Sequence, residues 1–157
     1  MKKIIFLDID GVLNCNSFLY SSNRCDREDI EMIDPALILK LNRIIKETGA
    51  DVVISSSWRI QYNHKQLQEM FDKIGFIGNI VGETIYSIFD RGYEIIDYLR
   101  NNDVDKFIIL DDNDIFDKNV NGEDEDIIEN IINHFVKTDC DIGLSDLDVN
   151  SAINILN

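Results

Sequence analysis

The residues with the most chemical potential are two aspartates two positions apart. Asp8-Ile9-Asp10-Gly11 closes a short apolar run near the start of the chain. On an extended strand, side chains at i and i+2 point the same way. One carboxylate can then attack while the other handles a proton. Gly11 permits a sharp turn and a close backbone approach. Two more apolar runs end in oxygen-rich stretches, Ser55-Ser56-Ser57 and Asp111-Asp112. Carboxylates gathered at one point repel one another and call for a cation. Oxygen ligands in that number suit Mg²⁺, which takes one or two carboxylates, keeps waters and engages phosphate. A serine hydroxyl donates to a phosphate oxygen, and a cationic side chain balances developing charge. Arg91 is best placed for that, with a planar fork that matches phosphate; Lys65 and Lys106 are its rivals.

The elements that must position these groups alternate. Residues 3–10 read as a buried strand, an apolar run stopped by Gly11. Asp34-Pro35 starts a helix, Asp as N-cap and Pro at the first helical position, and Gly49 stops it. Residues 51–55 and 106–110 are further strands, and Phe135 and Val136 belong to a fourth. Helices are expected over 64–74, ended by Gly75, over 93–100, and over 145–156 with Ser145 as N-cap. Residues 14–33 read as polar and irregular. Short apolar strands alternating with amphipathic helices predict a mostly parallel sheet covered on both faces, an α/β architecture. Ligands in such sheets bind beyond the carboxyl ends of the strands, where the three oxygen-rich stretches fall.

The chain has 157 residues, room for one domain spanning 1–157. It is 45% hydrophobic and 29% charged, a globular balance that excludes disorder and a disulfide scaffold. No apolar run approaches the roughly 20 residues of a membrane span. Met1-Lys2-Lys3 and the four apolar residues after it are too short for a signal peptide. Cys15, Cys25 and Cys140 have no metal-binding spacing and read as free thiols, and a cytoplasmic location is expected. The net charge of −15 argues against an extended nucleic-acid-binding surface but leaves room for a small phosphate pocket. Residues 103–126 hold ten acids against two lysines, part metal site and part solvated loop. Within it, Asp117-Lys-Asn119-Val-Asn121-Gly122 imitates half a calcium loop, but its twelfth position is Ile128 where glutamate is required.

Four stretches in order resemble the haloacid dehalogenase (HAD) superfamily of phosphohydrolases. They are Asp8-Ile9-Asp10-Gly11-Val12-Leu13 after a strand, Ser55-Ser56 after a second, Arg91 opening a helix, and Asp111-Asp112 after a third. Ser56-Ser57-Trp58-Arg59 and the tail Phe135-Val136-Lys137-Thr138-Asp139 with Gly143-Leu144-Ser145 look like the HAD branch found in Swiss Army Knife RNA-repair proteins. The resemblance implies a three-layer α/β/α Rossmann-like fold with little or no cap domain. It implies Asp8 as the nucleophile that forms an aspartyl-phosphate. Asp10 would protonate the leaving group and then deprotonate water. Ser56 would bind the phosphoryl group, with Ser55 as the alternative because the register is open by one. Arg91 would stand where the family usually has lysine. Asp111 would complete a Mg²⁺ site with Asp8 and the Asp10 backbone carbonyl, supported by Asp112.

Blander readings stand beside these. Two acids ending an apolar strand are costly to bury without a partner. The serine run also reads as a plain turn. Arg59 reads as pairing with a surface acid, Trp58 as core, His64 and His134 as bystanders. Arg24 and Arg27 fall in the loop after the first motif, either over the site or in solvent. The expected function is a Mg²⁺-dependent phosphatase. Residues 14–33 and 59–90 are too short for a lid, which suits a bulky phosphate ester such as a nucleic-acid end; the charge favours the alternative of a small nucleotidase. A non-catalytic receiver-like phospho-acceptor is the reading of another class, but its acidic pair precedes the phosphorylated aspartate, the reverse of the order here.

Overall fold

The structure, a computed structural model, describes residues 1–21, 28–87, 90–116 and 125–157. Its strands are β1 (Lys3–Leu7), β2 (Asp51–Ile54), β3 (Ile80–Glu83), β4 (Lys106–Asp111) and β5 (Phe135–Lys137). The helices among the described residues are α1 (Asn16–Tyr20), α2 (Pro35–Thr48), α3 (His64–Lys73), α4 (Arg91–Asn101), α5 (Glu125–Asn133) and α6 (Asp146–Leu156). Two 3-10 turns, Asp29–Met32 and Ser57–Ile60, lie between them. The strands form one sheet in the order β3-β2-β1-β4-β5, every pair parallel.

The alternation along the strands builds two cores. Ile5, Leu7, Val52, Ile54, Ile108 and Leu110 face α2, α3 and α6. Ile4, Phe6, Val53, Phe107 and Ile109 face α4 and α5. Both faces of the sheet are therefore apolar, as a parallel sheet between helical layers requires. The result is the expected three-layer α/β/α Rossmann-like arrangement. Among the described residues, the stretch between β2 and α4 is spent on a 3-10 turn, α3 and β3, with no separate cap. Among them, too, no helix is long and apolar enough to cross a membrane.

Several boundaries follow from local chemistry. The Asp34 carboxylate accepts from the Ala36 N–H at 2.8 Å, and Gly49 ends α2 with φ 69°. Ser145 caps α6 by accepting from the Asp148 N–H at 3.2 Å. The first strand ends at Leu7 rather than at residue 10. The chain coils there, with the amides of Val12, Leu13 and Asn14 all folding back to the Ile9 carbonyl at 2.8–3.3 Å. Residues 14–33 are not wholly irregular, since α1 and a 3-10 turn fall within them.

With β1 central, the chain moves outward through β2 and β3, then crosses to β4 and β5 on the other side. The switch point is thus the gap between the carboxyl ends of β1 and β4, the position where ligands bind in such sheets.

Candidate active site at the carboxyl ends of the strands

The backbone after β1 sets the first two carboxylates apart. Asp8 continues the pairing with β4, its N–H donating to the Leu110 carbonyl at 2.9 Å, and is 4% exposed. Asp10 is exposed. Its two oxygens accept from different donors, Asn14 Nδ2 at 2.7 Å and Trp58 Nε1 at 3.1 Å. Asn14 also accepts from the Gly11 N–H at 3.0 Å. Gly11 has φ 75°, and a Cβ there would overlap the Asp112 side chain. Only glycine satisfies both demands. The Gly11 carbonyl accepts from Thr138 Oγ1 at 2.8 Å, which ties the turn to the end of β5.

Arg91 opens α4 and reaches across the switch point. Its Nη1 donates to Asp8 Oδ2 at 2.9 Å and also to Asp111 Oδ2. Burial works against the Arg91 cation, yet the charges of Asp8 and Asp111 outweigh it and hold its pKa above the ordinary value. Gly92 lets the helix start close in: its N–H donates to the Ile115 carbonyl at 2.8 Å, and a Cβ would overlap the Phe116 ring. The two lysine rivals are elsewhere. Lys106 begins β4 beside Lys3, at the far end of a strand about 16 Å long. Lys65 is exposed in the first turn of α3.

Asp8, Asp111 and Asp112 bring carboxylate oxygens within 4.8 Å of one another. Burial and the Asp8 charge push the Asp111 carboxyl up to about 6, and burial and Asp8 also raise Asp112. One arginine faces three carboxylates, so a divalent cation would balance the excess. Oxygen donors with two excess charges fit Mg²⁺. The Asp10 carboxylate, held by Asn14 and Trp58, stands outside that group.

The serines separate by register. Leu7 pairs with Ile54, so Ser55 stands level with Asp8 on the neighbouring strand. Its hydroxyl is buried and has no hydrogen-bond partner among the described residues. The Ser56 hydroxyl instead caps the following turn, accepting from the Trp58 N–H at 3.4 Å. The geometry thus brings Ser55, rather than Ser56, beside the carboxylate.

Arg59 pairs with an acid, but a buried one. Arg59 Nη2 lies 2.5 Å from Glu94 Oε2, with both side chains at most 5% exposed. Nη1 donates to the Ser55 carbonyl and, at 2.6 Å, to the Ser56 carbonyl. Burial lowers the Arg59 pKa, and Glu94 offsets part of that. Trp58 is half-buried against the core and bonded to Asp10, so it is neither wholly core nor detached from the site. Glu94 and Asn14 are the residues the sequence reading gave no role; Asn14, directly after the first motif, carried a usable signal.

His64 bonds Glu83 at 3.1 Å through Nδ1, and His134 stacks on Phe107 at 4.5 Å, both away from the carboxylates. Cys15 and Cys140 are free thiols. Arg24, Cys25, Arg27 and the calcium-loop imitation from Asp117 to Gly122 lie outside the described residues.

A family model described as the HAD domain in Swiss Army Knife RNA repair proteins matches residues 4–149. No curated protein and no solved structure matches the chain.

Proposed function

The chain belongs to this family of HAD domains, and on that premise we propose that residues 1–157 act as one Mg²⁺-dependent phosphatase domain that hydrolyses a phosphate monoester. The observation that carries the reading is the constellation around Asp8. It is a buried carboxylate 2.9 Å from Arg91, level with a serine hydroxyl that has no partner among the described residues, and grouped with Asp111 and Asp112.

Asp8 attacks phosphorus, and the bond to the leaving oxygen breaks as an aspartyl-phosphate forms on Asp8. Asp10 gives its proton to that oxygen. Asp10 then takes a proton from the water that attacks the acyl phosphate, and phosphate leaves with Asp8 restored. Asn14 and Trp58 hold the Asp10 carboxyl in place through its two oxygens. The Ser55 hydroxyl donates to a phosphoryl oxygen, and Arg91 orients Asp8 while adding positive charge. Asp8, Asp111 and Asp112, with the Asp10 carbonyl, would hold Mg²⁺. When bound, the ion supplies charge stabilisation for the transferring phosphoryl group.

The family's setting favours a phosphorylated nucleic-acid end as substrate. The charge of −15 favours a small nucleotide instead. Phosphate release with Mg²⁺ tests the reaction. Wild type is expected to turn over many times and Asp8→Asn to lose about 10³-fold or more. Equal release by the two proteins, or release unaffected by removing Mg²⁺, contradicts the assignment.

A further inference from the structure

An acid that protonates a leaving oxygen must lie within about 3 Å of it in the reacting complex. Whatever is attached to that oxygen therefore begins beside Asp10. A groove of about 310 Å³ opens there, and Asp10 is part of its wall. It runs past Trp58 and Tyr62, whose rings lie 6.3 Å apart and tilted by 42°. Both rings are half-buried and packed on the core at one side, so they are rigid platforms. Polar groups stand around them. Gln61 and Ser57 are exposed, and the Asp29 carboxylate accepts from Tyr62 Oη at 2.6 Å.

We infer that this groove is the leaving-group subsite and that it takes a nucleoside, with the base stacked against the Trp58–Tyr62 pair. The inference rests on the phosphatase reading for its direction, and it names the substrate class of the same site: nucleoside phosphomonoesters. Three features select a nucleoside. The volume is at the lower end of sites for small molecules, about 300–1,000 Å³, and suits one nucleotide unit. Two aromatic rings offer stacking to any base. Amide, hydroxyl and carboxylate groups at the wall match the donors and acceptors of a base edge or a ribose diol. A bare sugar or glycerol phosphate would leave the aromatic pair unused. The source of the nucleoside, free nucleotide or strand terminus, lies one step further along. A second hollow of about 490 Å³ shares Asp29 and Tyr62 and carries Glu28 and Lys73. A strand would have to pass its next phosphate there.

Trp58 is the only tryptophan, which makes the groove its own probe. Wild type without Mg²⁺ is titrated with adenosine 5′-monophosphate, adenosine and ribose 5-phosphate while Trp58 emission is read. The first two are expected to give a saturable change and the third none. Tyr62→Leu should raise the midpoint about 10-fold, whereas Tyr62→Phe, which keeps the ring, should stay near wild type. With Mg²⁺, the ratio of kcat/KM for adenosine 5′-monophosphate over ribose 5-phosphate should fall about 10-fold in Tyr62→Leu. Parallel assays with adenosine 3′-monophosphate and with oligonucleotides phosphorylated at either end identify the source, and a preference for any of them over ribose 5-phosphate supports the subsite. Turnover with equal kcat/KM for nucleotide and ribose 5-phosphate, and no emission change, overturns the subsite and leaves the phosphatase reading intact. A saturable emission change without phosphate release from any ester keeps the subsite and overturns the phosphatase reading.

Discussion

Arg59 and Arg91 both reach buried carboxylates near the first turn of α4, and they are partnered differently. Arg59 meets one acid, Glu94, at 2.5 Å; its Nη1 donates to the carbonyls of Ser55 and Ser56, and its buried Nε has no hydrogen-bond partner among the described residues. The Glu94 carboxylate spends its other oxygen on the Ser87 N–H at 2.8 Å. Charge is matched one to one. Arg91 meets two acids, Asp8 and Asp111, with Asp112 close by. Charge there is unmatched, and the arginine is 23% exposed against 5% for Arg59. Residue type and burial alone do not separate a structural arginine from one at a reactive centre. The local charge balance around it does.

The largest effect that would sharpen this contrast is on folding. Arg59→Leu leaves Glu94 buried without a counter-charge, which costs about 3–5 kcal/mol. The double change with Glu94→Leu should recover most of that loss, because no lone charge remains. Arg91→Leu should instead remove most phosphate release at a smaller cost in stability, because Arg91 is more exposed and Asp111, with its raised pKa, can take up a proton. Chemical denaturation of the variants, alongside phosphate release, checks the set. Equal destabilisation by Arg59→Leu and Arg91→Leu breaks the comparison.

A smaller effect concerns pH. Asp111 has its carboxyl pushed up to about 6, from 3.8, by burial and by Asp8. An acid with a raised pKa in the folded state takes up its proton preferentially there. The metal-free protein should therefore lose stability as pH rises from about 4 to about 6, by at most about 3 kcal/mol. A cation must displace that proton at low pH. Stabilisation by Mg²⁺ in a thermal melt should accordingly be greater at pH 7.5 than at pH 5. Asp111→Asn should flatten both dependences.

The smallest effect on stability is at Ser55. Its hydroxyl is buried and unpartnered among the described residues. Ser55→Ala should leave the melting temperature unchanged or raise it by the equivalent of up to about 1 kcal/mol. Phosphate release should still fall, about 10- to 100-fold in kcat/KM. Ser56→Ala, which removes a cap, should show the reverse pattern, a loss of about 1 kcal/mol with a milder change in rate.

Much of the frame was legible because parallel strands buried on both faces are uninterrupted apolar runs. β1, β2 and β4 stand out on that ground, and α2 is bracketed by Asp34-Pro35 and Gly49. β3 escaped notice because Ile80-Val81-Gly82-Glu83 has neither length nor pattern, and it is a strand only by pairing with β2. α5 was hidden by composition: its start, Glu125-Asp126, continues an acidic stretch, although acids suit a helix N-terminus and Ile128 and Ile131 are buried on its inner side. The gathering of Asp8, Arg91, Asp111 and Asp112 at one rim was readable from their positions in the sequence. The choice between Ser55 and Ser56 was not, since it depends on which residue of β2 stands beside Asp8. Glu94 was missed for a related reason. An acid in the first turn of a helix looks like a solvated partner of the helix dipole, and only the packing of Arg59 against it makes it internal.

The central claim is that Asp8 carries the phosphoryl group. The most direct test is to mix the protein with Mg²⁺ and a hydrolysed phosphate ester, quench in acid during turnover, and weigh the peptide that contains Asp8. A mass increase of one phosphoryl group on that peptide, absent in Asp8→Asn, is the expected result. Phosphate release at full rate with no phosphorylated peptide at any quench time, or with the group on another residue, would contradict the account.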